Sequence, residues 1–176
     1  MYPVVRILKE MLLHRKPDGL GVLDTHVSHH ICWPWDLDLW GELNNGRTLT
    51  LYDLGRVPMG NRIGLTRALM KHRWGIVVAG ASVRYRKRVT IFQRFEMRTR
   101  VVGWDARFVY IEQSMWRGGD CTSHILIRGA VTGRRGVVPP DEVIEAIGVT
   151  VDRPDLPRWV QAWIDADHER PWPPQS

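Results

Sequence analysis

A short segment in the first third of the chain carries the residue types with the most chemical potential. Two carboxylates, Asp36 and Asp38, stand one residue apart, and Gly41 leads on to the pair Asn44 and Asn45. Asn is a preferred N-cap, so the pair predicts the start of a helix. A helix N-terminus favours a negative or developing-negative oxygen, and a carboxylate beside it could attack a carbonyl. The alternative is that both acids only cap the helix or shape the turn.

Two elements must position this segment. A strand is predicted before it, over residues 24–33, and a helical pattern follows it from residue 45 to about 71. Apolar residues recur at helical spacing in that second stretch: Leu49, Leu51, Leu54, Val57, Ile63, Leu65 and Leu69. Pro58 lacks an N–H group and cannot sit in a straight helix. The helix therefore either kinks at Pro58, or ends near Val57 so that Pro58 opens a second one.

The apolar period then changes from helical to two, which is typical of strands. Four strands are predicted, over residues 75–89, 94–103, 107–117 and 121–133, with turns at 90–93, 103–105 and 118–120. A short helix follows over 139–147, and a tail rich in Pro and Trp contains a helix over 156–168. We predict three parts: an N-terminal arm (1–22), a domain (23–148) and a C-terminal helical tail (149–176).

The arm contains an amphipathic helical pattern and a turn at Pro17-Asp18-Gly19. One side of the predicted helix is apolar: Val4, Ile7, Leu8, Met11 and Leu12. We expect this side to pack on the domain or on a partner subunit rather than to rest on a membrane surface.

Composition sets limits on the class of protein. The chain has 176 residues, 44% of them hydrophobic, which suits a single domain with a sizeable core. It has no apolar run of about eighteen residues and no recognisable secretory signal, so stable membrane insertion is not expected. Cys32 and Cys121 have no cysteine nearby, and two cysteines do not make a disulfide framework. A reducing, cytoplasmic location is the expectation.

The chain has a net charge of +6, and its basic residues cluster at Arg84, Arg86, Lys87 and Arg88. On a strand, the three arginines would share one face. Such a face is either solvated surface or a site for a phosphate-bearing ligand. We do not expect nucleic acid as a partner, because no RNP, zinc-finger or helix-turn-helix signature accompanies the charge.

The remaining polar residues are weaker candidates for a functional site. His26, His29 and His30 are close in sequence, but on a strand His29 points away from the other two, which disfavours a metal site. Asp53 lies in the helical pattern, where it could act as the catalytic acid or, as we favour, pair with Arg56 or Arg47. His124 is interpreted as a packed or hydrogen-bonded histidine. No Gly-x-Ser-x-Gly elbow or Walker-type loop supports a serine hydrolase or nucleotide hydrolase.

The predicted order of strand, long helix and four meandering strands is the layout of an α+β hotdog fold. In that fold an antiparallel sheet of about five strands wraps around a long central helix, here with helical extensions at both ends. The chain resembles the hotdog acyl-CoA thioesterases of the 4-hydroxybenzoyl-CoA thioesterase-like family, in a branch similar to the THEM6-type proteins. Residues 36–47 match the family pattern acidic-x-Asp-x-x-Gly-His-x-Asn-Asn, and residues 95–105 look like a strand and turn of that branch. The similarity spans about residues 24–148.

The resemblance implies hydrolysis of an acyl-CoA thioester, with Asp38 as general base or nucleophile. Asp36 falls on the preceding acidic position. The N–H groups near Gly41–Asn45, or those of another helix turn in a neighbouring subunit, would polarise the carbonyl. No metal and no organic cofactor is implied. The four basic residues named above are candidates for binding the CoA phosphates.

The chain departs from the family pattern at two positions: Glu42 replaces the usual His, and Thr48 stands where an aromatic residue is common. An acid in place of His changes the local charge, and this supports an alternative, a non-catalytic acyl-CoA-binding protein. A hotdog hydratase is a third, disfavoured alternative. We also expect a homodimer or tetramer, because edge-to-edge pairing covers the unpaired backbone groups of an edge strand.

Overall fold

A computed structural model describes residues 2–14 and 19–174. The helices of this part of the chain are α1 (Val4–Leu13), α2 (Asn45–Leu51), α3 (Asp53–Arg62), α4 (Leu65–His72), α5 (Pro140–Ile147) and α6 (Arg158–Glu169). The strands are β1 (His26–Ile31), β2 (Gly75–Tyr85), β3 (Arg94–Trp104), β4 (Val109–Arg117), β5 (Asp120–Gly133) and β6 (Gly136–Val138). A short 3-10 helix, Pro34–Asp36, leads out of β1.

The strands form one antiparallel sheet in the order β1-β3-β4-β5-β2, and β6 pairs with the end of β5. Strands β1 and β2 flank α2–α4 in the sequence and lie at opposite ends of the sheet order. The period-two pattern explains the sidedness of β3, where Phe95, Met97 and Thr99 are buried while Arg98 and Arg100 are exposed. The α+β hotdog architecture predicted from the sequence is confirmed. The prediction missed β6.

Helices α2 and α3 cover the inner face of the sheet almost as one rod. Tyr52 joins them: its N–H donates to the Thr48 carbonyl (3.1 Å), and its own carbonyl accepts from the Arg56 N–H (3.2 Å). Leu51, Tyr52 and Leu54 are fully buried. They pack against Cys32, which directly follows β1, and against core side chains of β3, β4 and β5: Phe95, Met97, Met115, Ile125 and Ile127. Removing each such leucine from water contributes roughly 1.5–3 kcal/mol.

The helix boundaries differ from those predicted. Pro58 neither ends nor begins a helix, because α3 runs through it from Asp53 to Arg62. The helical path breaks instead at Gly64, whose φ of +86° ends α3 before α4, while α2 and α3 continue into each other through Tyr52. Glycine adopts this left-handed conformation without the steric cost that a Cβ would add.

The N-terminal helix exists as predicted, but its buried side is different. Glu10 is buried and Ile7 packs against the core, whereas Val4, Leu8 and Leu12 are more than half exposed. These three side chains therefore do not pack on the domain in the described part of the chain, and their packing on a partner subunit stays a prediction. Polar contacts attach α1 to the domain, and a pattern of apolar residues gives no sign of such contacts. The turn predicted at 17–19 lies, except for Gly19, outside the described residues.

The C-terminal helix α6 covers the outer face of the sheet. Val160 is fully buried there against Val102, Tyr110 and Leu126. Among the described residues, no helix is both long and apolar enough to cross a membrane.

Candidate active site

The loop that carries Asp38 is folded on itself by hydrogen bonds between near neighbours. The Asp38 N–H donates to the Glu42 carbonyl (2.8 Å), and the Gly41 N–H donates to the Asp38 carbonyl (3.1 Å). Gly41 has a φ of +74°, which favours glycine. The loop is attached to the rest of the domain where the Leu43 N–H donates to the Val89 carbonyl (2.8 Å).

The Asp38 side chain is half-buried and held by two amides of this loop. Its Oδ1 accepts hydrogen bonds from the N–H groups of Trp40 (2.9 Å) and Glu42 (3.3 Å). In the described residues, its Oδ2 has no protein hydrogen-bond donor. One oxygen of the carboxylate is thus fixed while the other remains available to a substrate or a water molecule.

Helix α2 begins directly after this loop. Asn44 is the N-cap, as predicted: its Oδ1 accepts from the Arg47 N–H (3.0 Å), and its carbonyl accepts from the Thr48 N–H (2.8 Å). The first-turn N–H groups of Asn45 and Gly46 precede the intrahelical hydrogen-bond ladder, which begins only after the first turn. The loop that carries Asp38 thus leads directly into a helix start whose first N–H groups have no intrahelical acceptor.

The carboxylate of Asp36 is bound by protein donors and has a structural role. It is fully buried, and its carboxylate accepts from Arg6 Nη1 (2.8 Å), Arg47 Nε (2.6 Å) and the Trp33 N–H (3.0 Å). Its carbonyl also accepts from the Asn44 N–H (3.0 Å). The sequence places Asp36 correctly before the helix, but the local pattern gives no signal for Arg6, which lies 30 residues away.

Asp53 forms an ion pair with Arg56, as favoured from the sequence, and accepts a hydrogen bond from the Tyr2 hydroxyl (2.7 Å). Arg56 also donates to Gln113 Oε1 on β4 (2.7 Å). The Asp53 carboxylate therefore already has two partners, and it lies one turn or more beyond the start of α2.

A polar cleft of about 310 Å³ opens beside the start of α2. Its lining residues come from the Asp38 loop, α2, the end of β2 and the segment after it, and the start of β5: Glu42, Leu43, Asn45, Thr48, Tyr85, Arg86, Lys87, Arg88, Val89, Thr122 and Ser123. Three of the four basic candidates meet here, and Arg84 is not among the lining residues. The predicted common face of the three arginines is wrong, because β2 ends at Tyr85. Beyond that point the chain turns, and both Arg86 and Lys87 N–H groups donate to the Thr122 carbonyl.

Ion pairs set the charge of this cleft. Arg88 Nε lies 3.2 Å from Glu42 Oε1, and Lys87 Nζ lies 2.8 Å from Asp120 Oδ1. Glu42, the residue that replaces the family His, is thus balanced by Arg88. Among the described residues no such ion pair involves Arg86, so its charge is available to a ligand.

The histidines face the sides that were predicted. His26 and His30 are buried, and His29 is exposed on the opposite face of β1. Burial lowers the pKa of His30 to about 3, so its ring is neutral at pH 7 and shares a 2.8 Å hydrogen bond with Ser28. His124 bonds to Glu112 (2.8 Å), and this bond holds the Glu112 pKa below its usual value. No cluster of three or more potential metal ligands occurs in the described residues.

An antiparallel sheet that covers a central helix is the layout of the hotdog fold. The chain belongs to the thioesterase-like superfamily, whose sequence model matches residues 32–164. Protein THEM6 of Xenopus laevis is 33% identical over 152 residues, covering 85% of this chain and 72% of that protein. These findings confirm the family predicted from residues 36–47.

Two solved structures show the same fold at low identity. The probable thioesterase YbaW from Escherichia coli matches with a TM-score of 0.62 at 15% identity, covering 69% of this chain and 95% of YbaW. A Staphylococcus aureus protein, described as hypothetical and solved in complex with CoA, matches with a TM-score of 0.64 at 9% identity. That match covers 78% of this chain and 94% of the S. aureus protein.

Proposed function

We propose that this protein hydrolyses an acyl-CoA thioester to the free acid and CoA, with Asp38 as the catalytic carboxylate. The observation that carries this proposal is the position of Asp38. Loop amides fix one of its oxygens, and the loop runs directly into the N-terminus of α2. Family membership supports thioester chemistry as the reaction class.

The chemistry requires either of two roles from Asp38. As a general base, it takes a proton from a water molecule whose oxygen attacks the thioester carbonyl carbon. As a nucleophile, it attacks that carbon itself and forms an anhydride, which water then hydrolyses. In both routes the carbon–sulfur bond breaks and the CoA thiolate leaves and takes up a proton. Helix N–H groups stabilise the oxyanion that develops on the carbonyl oxygen.

The basic cleft beside α2 is the proposed site for the phosphates of CoA. Arg86 supplies a charge without an ion-pair partner among the described residues, and guanidinium groups bind phosphate by charge-assisted hydrogen bonds. The S. aureus structural neighbour in complex with CoA supports CoA as the ligand class.

Arg86→Gln is expected to raise KM for an acyl-CoA by roughly 3- to 30-fold, as loss of one charge-assisted hydrogen bond would. KM for the matching pantetheine thioester should stay the same, because that substrate lacks the distal phosphates. Steady-state kinetics on both substrates measure the difference. Arg84→Gln is the matched control, since this exposed arginine lies nearby on β2 but outside the cleft lining. Equal KM changes for both substrates, or for both variants, would contradict the assignment.

The alternative function is non-catalytic binding of acyl-CoA, and Glu42 is the residue that favours it. The ion pair with Arg88 weakens this alternative, because the extra carboxylate brings its own counter-charge. A panel of acyl-CoA esters assayed for free thiol separates the two functions. Thiol release supports hydrolysis, whereas calorimetric binding of the same esters without thiol release supports the binder. Cytoplasmic location stays a prediction from the sequence.

We further propose a homodimer formed through β2. This strand lies at the end of the sheet order, and apolar side chains of both its faces are about half exposed: Ile76, Val77 and Val78. An exposed, apolar edge strand pairs readily with another strand. Antiparallel pairing of two β2 strands would bring the Gly75 end of one beside the Tyr85 end of its partner, next to the polar cleft.

Val78→Arg is expected to convert the dimer to a monomer, because it places a charge in the proposed apolar contact. Sedimentation velocity measures the change in mass. Val27→Arg is the matched control: Val27 is an exposed valine of β1, at the opposite end of the sheet. A wild-type protein that sediments as an active monomer would remove the dimer proposal.

A further inference from the structure

Helix α1 lies outside residues 32–164, the part of the chain that the family model matches. It nevertheless contacts the loop that carries Asp38. Arg6, on α1, is largely buried (17% of its side chain is exposed), and its Nη1 donates to Asp36 Oδ2 at 2.8 Å. Its Nη2 donates to the Ile31 carbonyl at 3.0 Å, at the end of β1. One guanidinium thus joins three separate segments.

Asp36 is the centre of these contacts, and its carboxylate is fully buried. Arg6 and Arg47 bind opposite oxygens, so the charge of Asp36 is shared between α1 and the first turn of α2. The Asp36 main chain also receives the Asn44 N–H bond at the N-cap of α2. Asp36 stands two residues before Asp38, so its position sets where the loop meets the helix.

We infer that α1 is needed to position the active site. Arg6 is a positioning residue: through its ion pair with Asp36, it holds the Asp38 loop in place relative to the start of α2. This inference rests on the proposed function of Asp38. A buried carboxylate with one of two cationic partners removed moves toward the remaining partner or draws in water. Here the remaining partner is Arg47, so the loop would shift toward α2.

A second contact attaches the same end of α1 to the helix layer. The Tyr2 hydroxyl donates to Asp53 Oδ2 (2.7 Å), and Asp53 forms an ion pair with Arg56. The N-terminal segment is therefore bound on both sides of α2, at the loop before it and at the first turn of α3 after it. Such a two-point attachment fixes orientation as well as position.

The test is Arg6→Ala in the full chain, assayed at a temperature where circular dichroism shows the variant to be folded. We expect kcat for an acyl-CoA to fall by about 10- to 100-fold, the cost of roughly 1 Å of misplacement of a reacting group. KM should change less than about threefold. Arg6→Lys, which keeps the charge, and Arg6→Ala with millimolar guanidinium ion should both recover part of the lost kcat. Lys9→Ala is the matched control, since Lys9 is an exposed cation of α1 that contacts Glu10 instead.

Hydrogen exchange gives a readout that does not depend on activity. The N–H groups of Trp40 and Glu42 bind Asp38 Oδ1, so we expect them to exchange faster in Arg6→Ala and unchanged in Lys9→Ala. Wild-type kcat in folded Arg6→Ala, with only its thermal midpoint lowered, would overturn the inference while leaving the function of Asp38 intact. A wild type that releases no thiol would remove the proposed function instead. In that case unchanged exchange in Arg6→Ala overturns the inference separately.

Discussion

Asp38→Asn is expected to lower kcat for thioester hydrolysis by ~10²–10⁴-fold, the usual cost of losing a general base. A larger loss is expected if Asp38 is the nucleophile. The fold should persist, because the amide is nearly the same size and its carbonyl oxygen can still accept from the Trp40 and Glu42 N–H groups. Binding of an acyl-CoA should therefore be retained.

Thiol release under saturating substrate measures this effect, and calorimetry with a slowly hydrolysed analogue measures the remaining affinity. Asp53→Asn is the comparison variant, because the carboxylate of Asp53 already binds Tyr2 and Arg56. Full kcat in Asp38→Asn would exclude Asp38 as the catalytic group. An inactive Asp53→Asn beside it would assign the chemistry to α3.

Asp36→Asn is a poor control for this experiment, although the local sequence pattern suggests a mild effect. Asp36 is fully buried between Arg6 and Arg47, and an amide leaves their two positive charges without a counter-ion. Removing one partner of a buried ion pair typically costs ~3–5 kcal/mol, so this variant is expected to lose stability rather than chemistry alone.

The features that the sequence predicts correctly depend on contacts between near neighbours. Asn44 caps α2 through the N–H three residues ahead, and an Asn-Asn pair after an acidic turn is enough to indicate that arrangement. Alternation of apolar and polar residues likewise predicts β3, since each residue's side is set by the pleat alone.

The features that the sequence does not predict depend on distant contacts. Arg6 reaches Asp36 across 30 residues, and Arg56 reaches Gln113 across 57, and neither pairing leaves a local pattern. The burial of Glu10 on α1 has the same origin, because its surroundings are set by His14 and His30 rather than by apolar spacing. The alternating arginines at 84, 86 and 88 predict a common strand face, and this prediction is wrong because β2 ends at Tyr85.

Gly55 shows how closely the central helix approaches the sheet. A Cβ at this position would lie 2.3 Å from Thr99 Oγ1, 2.8 Å from Met97 Sδ and 3.1 Å from Gln113 Nε2. These atoms cannot easily move away. Thr99 and Gln113 are fully buried and bonded to each other (2.9 Å), and Gln113 also donates to the Tyr52 carbonyl between α2 and α3 (2.8 Å).

Gly55→Ala is therefore expected to lower the free energy of unfolding by ~1–3 kcal/mol or more, the range for overpacking a filled core. The helix must move outward or the Gln113 bonds must break, and a buried polar group left without a partner adds to the cost. Denaturant unfolding followed by circular dichroism measures the change.

Gly60→Ala in the same helix is the matched control, because its nearest neighbour would be Leu65 Cδ2 at 3.6 Å, an ordinary contact. Without a clash, alanine is the better helix former by up to ~1 kcal/mol, so this variant should be as stable as the wild type or more stable. Equal stability of the two variants would mean that α3 does not approach the sheet at Gly55 as closely as the structure shows. Because Tyr52 joins α3 to α2, whose N-cap Asn44 follows the Asp38 loop, loss of that spacing would also lower kcat.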